Sequence, residues 1–399
     1  MKNNNENKIL NVPNLRFPEF SGEWSSQPLT DFMNFKNGLN PDAKRFGRGT
    51  KFISVMDILN NQYICYDNIR ASVELQDGDI ETYGVDYGDI LFQRSSETLE
   101  DVGRANVYLD SKPAIFGGFV IRGKSKGNYN PLFFRYLLAS PTARKRIIVK
   151  GAGAQHFNIG QDGLSKVSLD IPRLSEQEKI GKLLQCVDAR IATQNKIIED
   201  LKKLKSAIIH RCYSSQTNMI PLSELLKQCS DRNRSGSDLQ VLSVSNKYGF
   251  IAQSNQFEDR EVASDDTSNY KVVKKGMFAY NPARINVGSI ALYEMDGNGI
   301  VSPMYVCFTT KSELLPSYLK YYFASQTFKH EMYKRLEGSV RLCLTFEELC
   351  NIEIHLPSIE QQKNISKYIS KIENNLSLVD SIFSKYQQQR RYLLSQMFI

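Results

Sequence analysis

The sequence predicts an α+β protein with two similar mixed domains, related by pseudo-twofold symmetry and separated by two long helices that pair as an antiparallel coiled coil. Three observations support this prediction: an internal repeat, a regular apolar pattern in two long segments, and short β-strand patterns elsewhere. The chain has 399 residues, a length that favours two or three domains over one.

The internal repeat aligns the two halves of the chain at an offset of 185 residues, with small drifts upstream. Because matching residues are sparse, the halves share a scaffold but differ in their exposed residues. The matches that define the repeat are Ile171-Pro172 with Leu356-Pro357, Leu174–Ile180 with Ile359–Ile365, Ala139-Ser140 with Ala324-Ser325, and Gly153 with Gly338.

Each half ends in a segment whose apolar residues are spaced alternately by four and three, as in the seam of a coiled coil. The alternative is an amphipathic helix packed only on its own domain, but the ungapped match of the two seams favours their pairing. A chain that leaves the first domain along one helix returns along the other, which predicts antiparallel pairing. Polar residues at Gln194, Lys205 and Arg390 continue the spacing. The apolar seam comprises Ile180, Leu184, Val187, Ile191, Ile198, Leu201 and Ile208, then Ile365, Ile369, Ile372, Leu376, Val379, Phe383, Tyr386 and Leu393.

These patterns divide the chain into five parts. Ser175 and Glu178 form a capping-box pattern, which predicts a helix start near residue 175. In the mixed domains, 51–55, 89–92, 119–121, 241–244 and 304–308 are predicted strands, and 131–150 and 316–336 are predicted helices that open at proline. The parts are an N-terminal segment (1–25), a first mixed domain (26–172), a central helix (173–213), a second mixed domain (214–357) and a C-terminal helix (358–399).

Composition excludes several classes of protein. No run of apolar residues is long enough for a membrane helix, so no membrane partner is expected. The 7 cysteines contain no C-x-x-C pair, which is typical of reduced thiols and a cytoplasmic location. The 4 histidines are far apart in sequence, so no metal site is specified, and no catalytic constellation is present. We therefore expect a non-catalytic binding protein.

One stretch of the chain matches a motif of nucleotide-binding enzymes. Gly118–Ser125 matches the G-x-x-x-x-G-K-[ST] pattern of a phosphate-binding loop. That loop requires a helix to begin at its Lys-Ser, whereas Phe119–Ile121 is a predicted strand and Pro131 follows soon after. A nucleotide-dependent enzyme is the weakest of the alternatives.

A basic segment suggests a polyanion as the partner. The net charge is +8, and the stretch from Arg122 to Lys150 contains basic and aromatic residues but no acid. Such a face is either simply solvated or a phosphate-contacting surface of a DNA-binding protein. Arg144, Lys145 and Arg146 are its candidate phosphate contacts.

Two sequence stretches resemble the specificity subunits of Type I restriction-modification systems. The first is Asn11–Phe20 with Glu23-Trp24, and the second is Ile171–Ile180 with its repeat Leu356–Gln362. The second copy has Glu-Gln-Gln-Lys where the first has Glu-Gln-Glu-Lys, a change expected at a solvent-facing position. The resemblance covers essentially the whole chain.

The resemblance implies a function in DNA recognition. Each mixed domain would be a target-recognition domain that reads one half of a bipartite, asymmetric site on double-stranded DNA. The helices would set the spacer between the half-sites and dock two methylation subunits, and restriction subunits would join through that core. S-adenosylmethionine, ATP and Mg are expected only in these partner subunits, and the specificity subunit itself would have no cofactor. The remaining alternative is a structural repeat module that binds another protein.

Candidate base-reading residues follow strands and differ between the aligned halves. Arg binds guanine through two hydrogen bonds, and Asn or Gln binds adenine in the same way, so these residue types suit major-groove recognition. Each could equally be an ordinary polar loop residue. The candidates are Arg94, Ser96, Arg104, Gln155, His156 and Asn158 in the first half, and Asn281, Arg284, Asn286 and Arg341 in the second.

Overall fold

The computed structural model describes residues 10–153, 156–215, 217–234, 239–253, 266–338 and 342–399. The chain folds into two compact units: unit 1 comprises Met1–Asn195 and Ser381–Ile399, and unit 2 comprises Lys196–Asp380. Each unit contains one mixed domain and one stretch of each of two long helices.

Unit 1 contains the first mixed domain, which is built of short strands and short helices. Its strands are β1 (Ser25–Pro28), β2 (Met33–Asn37), β3 (Phe46–Ile53), β4 (Ala71–Val73), β5 (Gly84–Val85), β6 (Ile90–Gln93), β7 (Ser95–Ser96), β8 (Ala105–Val107), β9 (Ala114–Phe116), β10 (Val120–Ser125), β11 (Phe157–Asn158) and β12 (Ser168–Ile171). Its helices are α1 (Val55–Asn60), α2 (Asp79–Tyr83), α3 (Pro131–Ala139), α4 (Pro141–Ile148) and α5 (Gln161–Ser165), followed by the long α6 (Leu174–Tyr213).

Unit 2 contains the second mixed domain. Its strands are β13 (Met219–Pro221), β14 (Leu226–Cys229), β15 (Val241–Ser245), β16 (Gly249–Ala252), β17 (Lys271–Val273), β18 (Phe278–Tyr280), β19 (Ile290–Leu292), β20 (Gly299–Val301), β21 (Val306–Thr310) and β22 (Glu353–His355). Its helices are α7 (Leu222–Leu225), α8 (Pro316–Phe323), α9 (Gln326–Lys334) and α10 (Phe346–Cys350), and the long α11 (Ile359–Gln396) follows.

The two mixed domains have the same sheet topology. The sheet β2-β10-β6-β8 of the first corresponds to β14-β21-β18-β19 of the second, and β4-β3-β9-β5 corresponds to β16-β15-β20-β17. In the latter sheets the central pair is parallel in both domains, β3 with β9 and β15 with β20. The ribbons β1-β12 and β13-β22 also correspond. The predicted α+β class and the internal repeat are confirmed.

The predicted strands are present, but each of the two predicted long helices of the mixed domains is in fact a pair of helices. Residues 131–150 form α3 and α4, because the Ser140 hydroxyl accepts a hydrogen bond from the Ala143 amide and Pro141 begins a new helix. In the second domain Ser325 caps α9 in the same way, through the Phe328 amide. The repeated Ala-Ser dipeptide therefore marks a helix junction.

The predicted seam residues of α6 and α11 lie on the inner faces of the two helices. All 15 predicted apolar seam residues are buried or half-buried, and most residues between them are exposed. In unit 1, Asp188 contacts Arg390 and Arg190 lies over the Tyr386 ring, so the helices run antiparallel. In unit 2, Lys205 contacts Glu373, and Ile209 shares a core with Ile369.

An acidic residue joins the helix pair to the mixed domain in each unit, and it is buried in unit 1 (Asp188) and half-buried in unit 2 (Glu373). Asp188 accepts hydrogen bonds from Arg390 (2.6 Å), Tyr136 (2.9 Å) and Arg135 (3.1 Å). Burial raises the pKa of Tyr136, so its hydroxyl remains a donor.

Unit 2 repeats this arrangement at the offset of 185 residues. Glu373 accepts hydrogen bonds from Lys205 (2.6 Å) and from the hydroxyl of Tyr321 (2.9 Å). The repeat alignment pairs Tyr136 with Tyr321 and Asp188 with Glu373. These four residues were not identified from the sequence as contacts between the helices and the mixed domains. We name each cluster of acid, tyrosine and seam cation the acid triad.

A repeated glutamine fixes the start of each long helix. Gln177 accepts a hydrogen bond from the Asn130 amide and donates one to the Pro172 carbonyl, both at 3.0 Å. Gln362 accepts from the Leu315 amide at 2.8 Å and donates to the Pro357 carbonyl at 2.9 Å. Gln362 is fully buried and is the repeat partner of Gln177, so the clamp residue is the same in both copies. The Gln-for-Glu difference falls instead at Gln361, which aligns with Glu176. The expectation of a solvent-facing position is wrong for the first copy, because Glu176 is buried.

The start of α6 differs slightly from the prediction. The helix begins at Leu174, which places Ser175 inside its first turn and not at the cap. The capping pattern occurs instead at the start of α11, where Ser358 and Gln361 exchange side-chain and backbone hydrogen bonds.

The N-terminal segment and the end of α11 complete the core of unit 1. Arg16 donates two hydrogen bonds of 2.8 Å to the buried Glu176, and the Trp24 indole donates a third at 3.3 Å. The Trp24 ring also contacts Phe133 and Phe398 edge to face. The residues that make the N-terminal motif recognisable therefore pack against the start of α6 and the end of α11.

The acid triad of unit 1 predicts a large loss of stability for Asp188→Ala. Removing the carboxylate leaves the cationic groups of Arg135 and Arg390 partly buried without their partner, which costs about 3–5 kcal/mol of unfolding free energy. Urea denaturation of the purified chain measures this loss. Asp200→Ala removes an exposed acid from the same helix and should change stability by no more than about 0.5 kcal/mol. Equal effects of the two substitutions would contradict the role of the triad.

Candidate nucleic-acid interface

The first mixed domain gathers four of the predicted base-reading residues at one place. Arg94 follows β6 directly and precedes β7, and β7 pairs with β11. This pairing places Ser95 opposite Asn158, and the Ser95 hydroxyl donates a hydrogen bond to the Asn158 side-chain oxygen. Ser96 lies opposite Phe157, next to the exposed His156. The two separate sequence loops thus form one polar surface, which we name tip 1 (Arg94–Ser96 and His156–Asn158).

Backbone geometry explains how the second loop reaches the first. Gly153 has a φ of 138°, and a Cβ at this position would lie 2.0 Å from the His156 carbonyl oxygen. Only glycine permits this close approach. Its repeat partner Gly338 also has a positive φ, of 108°. Gln155, predicted beside this turn, lies outside the described residues.

The second mixed domain places its candidates after the corresponding strand. Asn281 follows β18 and caps a 3₁₀ helix, Pro282–Val287, by accepting a hydrogen bond from the Ala283 amide. Arg284 is exposed on this helix and Asn286 is half-buried. We name Asn281–Asn286 tip 2. Arg341 lies outside the described residues.

A cavity of about 340 Å³ with both polar and apolar lining residues adjoins tip 2. Asn281 and Arg284 line it together with Ser243, Ser302 and Met304. Leu344 also contacts the tip, since its amide donates a hydrogen bond to the Pro282 carbonyl at 3.2 Å. Tip 2 therefore presents hydrogen-bonding groups beside a concave surface.

Three further basic candidates lie in unit 1 around a separate cavity. Arg104, Arg144 and Lys145 line a cavity of about 630 Å³. Arg104 forms an ion pair with Asp101 at 2.6 Å and keeps about half of its side chain exposed. This cavity is part of the same domain as tip 1, but its lining does not include Arg94, His156 or Asn158.

Two of the three predicted phosphate contacts are engaged within the fold. Arg144 donates hydrogen bonds to the carbonyls of Glu100 and Val102 at 2.8 and 2.6 Å, and burial lowers its pKa to about 10. Arg146 forms a 2.6 Å ion pair with the buried Asp170. Only Lys145 of the three is exposed. A sequence pattern shows charge but not its internal partners, so it could not separate Lys145 from its neighbours.

The stretch that resembles a phosphate-binding loop is a strand. Val120–Ser125 is β10, which pairs with both β2 and β6, and its first four residues are buried. Lys124 contacts Asp86 and lies 3.3 Å from Asp89. The backbone of a central strand is hydrogen-bonded to its neighbours on both sides, so it cannot form a loop around a phosphate group. The structure therefore argues against the nucleotide-binding alternative.

The described residues contain neither a metal site nor a membrane-spanning helix. No group of His, Cys, Asp and Glu in them has the arrangement of a metal site. No helix in the same ranges is both long and apolar enough to cross a membrane. All seven cysteines lie in the described ranges and are free thiols.

Known proteins resemble this chain over nearly its full length. The type I restriction enzyme MjaVIII specificity subunit of Methanocaldococcus jannaschii is 24% identical over 408 residues, covering 94% of this chain and 91% of the relative. The crystal structure of a Type I restriction-modification S subunit from M. genitalium matches with a TM-score of 0.61 and 15% identity, covering 97% of this chain and 99% of that one. A structure from a study of complex assembly and conformational transition of the type I R-M system matches with a TM-score of 0.55 and 13% identity over 93% and 96% of the two chains.

A family model gives the assignment. The model of the Type I restriction modification DNA specificity domain matches residues 21–203 and again residues 236–382, so both halves of the repeat are covered. This match favours DNA specificity over a structural repeat module that binds another protein. The chain belongs to the Type I restriction-modification DNA specificity family, and it is a specificity subunit with two target-recognition domains.

Proposed function

We propose that tip 1 reads one half of a bipartite, asymmetric DNA site and that tip 2 reads the other. The observation that supports this is that equivalent strand ends in two equivalent folds carry different hydrogen-bonding side chains. In the aligned loops after β6 and β18, Arg94 corresponds to Pro282, and Ser96 corresponds to Arg284. Arg suits guanine and Asn suits adenine, so the same scaffold would select different bases in its two copies.

Phosphate contacts would come from exposed basic groups outside the tips. Lys145 is such a group, whereas Arg144 and Arg146 hold the domain together. Contacts to phosphate fix the position of a protein on the duplex, and contacts to base edges select the sequence. The two classes of contact are therefore separable by mutation.

We further propose that α6 and α11 set the spacer and bind two methylation subunits, through which restriction subunits join. Exposed apolar side chains on both helices support a protein partner: Ile197 and Leu204 lie seven residues apart on α6, and Tyr368 and Leu378 lie on α11. S-adenosylmethionine, ATP and Mg would belong to the partner subunits. Free thiols and a DNA target suit the cytoplasm.

Replacing Arg94 by Ala should relax selection at one position of one half-site. Loss of a two-hydrogen-bond contact to guanine reduces discrimination by about 1–3 kcal/mol at that position. Sequencing of DNA modified by the reconstituted methyltransferase measures selection at every position. Arg284→Ala is the reciprocal control and should affect the other half-site only. If either substitution altered both half-sites, the division between the tips would be wrong.

Lys145→Ala should weaken binding to cognate and unrelated DNA alike. It should also reduce the slope of log affinity against log salt by about one, because one phosphate contact is lost. Titrations at several salt concentrations test this. Arg146→Ala should instead lower the melting temperature, since it leaves the buried Asp170 without its ion pair. A sequence-dependent effect of Lys145→Ala would contradict the assignment to phosphate.

Inserting seven seam-compatible residues into both α6 and α11 should lengthen the preferred spacer. The heptad keeps the seam in phase and adds about 10 Å to the pair. At 3.4 Å per base pair, this corresponds to about three base pairs, although the change in helical phase of the DNA will weaken binding. Selection of target sites from random DNA measures spacer and half-sites together. An unchanged spacer would refute the proposed spacing role, and altered half-site bases would refute the role of the tips.

A further inference from the structure

One turn in each mixed domain exposes a large apolar side chain. The turn between β9 and β10 carries Phe119, which is 70% exposed, and the turn between β20 and β21 carries Met304, which is 62% exposed. Each lies three residues after the last residue of the preceding strand, Phe116 or Val301. The two domains therefore hold an exposed apolar group at equivalent positions but with different shapes.

Each of these residues is next to a residue of the adjacent tip, Phe119 through its backbone and Met304 through its side chain. The Arg94 amide donates a hydrogen bond to the Phe119 carbonyl at 2.9 Å, and the Arg94 guanidinium donates one to the Gly118 carbonyl at 3.3 Å. In the second domain the Asn281 side-chain amide contacts the Met304 sulfur at 3.6 Å. The juxtaposition of a polar tip residue and an exposed apolar residue thus occurs twice.

Neither side chain is buried in a hydrophobic core, although both are large and apolar. Phe119 and Met304 lie outside the hydrophobic cores of their domains. Phe119 instead borders an apolar cavity of about 400 Å³, together with the exposed Phe46 and Met56. Exposed apolar groups that adjoin a binding surface commonly contribute to binding.

We propose that Phe119 and Met304 are apolar base contacts, each packing on a thymine C5 methyl group in the major groove beside the base bound by Arg94 or Asn281. This inference rests on the proposed function of the two tips. The thymine methyl is the one apolar group that bases present in the major groove, and Phe is a suitable contact for it. Met is flexible and polarizable, so it fills the same role against a different local shape.

The test uses the reconstituted complex with its methylation subunits and a duplex that contains its modified site. Phe119→Ala should weaken binding to this duplex about tenfold and leave binding to a scrambled duplex unchanged, while Phe119→Leu should restore part of the loss. Replacing thymines one at a time by deoxyuridine removes single methyl groups. One such replacement should weaken the wild-type complex several-fold but have no further effect on Phe119→Ala. Met304→Ala should behave in the same way at the other half-site.

Matched controls lie at the ends of β6 and β19 that are distant from the tips. Tyr87 is 62% exposed in the turn before β6, and Met295 is 38% exposed in the turn after β19. Tyr87→Ala and Met295→Ala should leave both affinities unchanged. The inference is overturned if Phe119→Ala binds as wild type, weakens both duplexes equally, or keeps the deoxyuridine effect. If the wild-type complex itself does not distinguish its site from the scrambled duplex, the proposed function fails instead.

Discussion

The acid triads are the constraint on which the rest of the structure depends. The triad carboxylate, which is buried in Asp188 and half-buried in Glu373, meets its cationic partner at only one level along the helices. Each triad therefore fixes the register of α6 against α11. The same carboxylate accepts a hydrogen bond from a tyrosine of the mixed domain, Tyr136 or Tyr321. An apolar seam alone would allow slippage by a heptad. The triads and the glutamine clamps together hold each mixed domain in a defined position on its own stretch of the helix pair.

This constraint allows the tips to vary. The residues shared by the halves are those of the clamp, the helix junctions and the triads, which lie in the interior or at the helix–domain contacts. The residues that differ, such as Arg94 and its aligned residue Pro282, lie beyond the strand ends. A scaffold whose stability is concentrated away from its tips can accept new tip residues without a loss of folding.

The sequence predicted the architecture because the repeat and the seam are periodic signals that survive divergence. It missed the junction between α3 and α4, because a serine cap inside an otherwise helical pattern is a local signal that periodicity does not register. It also placed Phe119 and Met304 within strands, whereas both lie in turns. For the site, residue type indicated which side chains could bind DNA. Residue type does not show which side chains are already paired within the fold. Lys145 and Arg146 are adjacent and both basic, and only the structure shows that Arg146 forms an ion pair with Asp170.

The packing of the end of α11 has a consequence for synthesis. Phe398, Met397 and Leu393 belong to the same core as Trp24 and Phe133. Translation proceeds from the N-terminus, so residues 10–195 emerge from the ribosome long before residues 381–399. The core of the first recognition domain therefore lacks the residues of the C-terminal helix until the whole of the second domain has been synthesised. Its exposed apolar surface during that interval is a target for chaperones and for aggregation, even though the finished domain buries it.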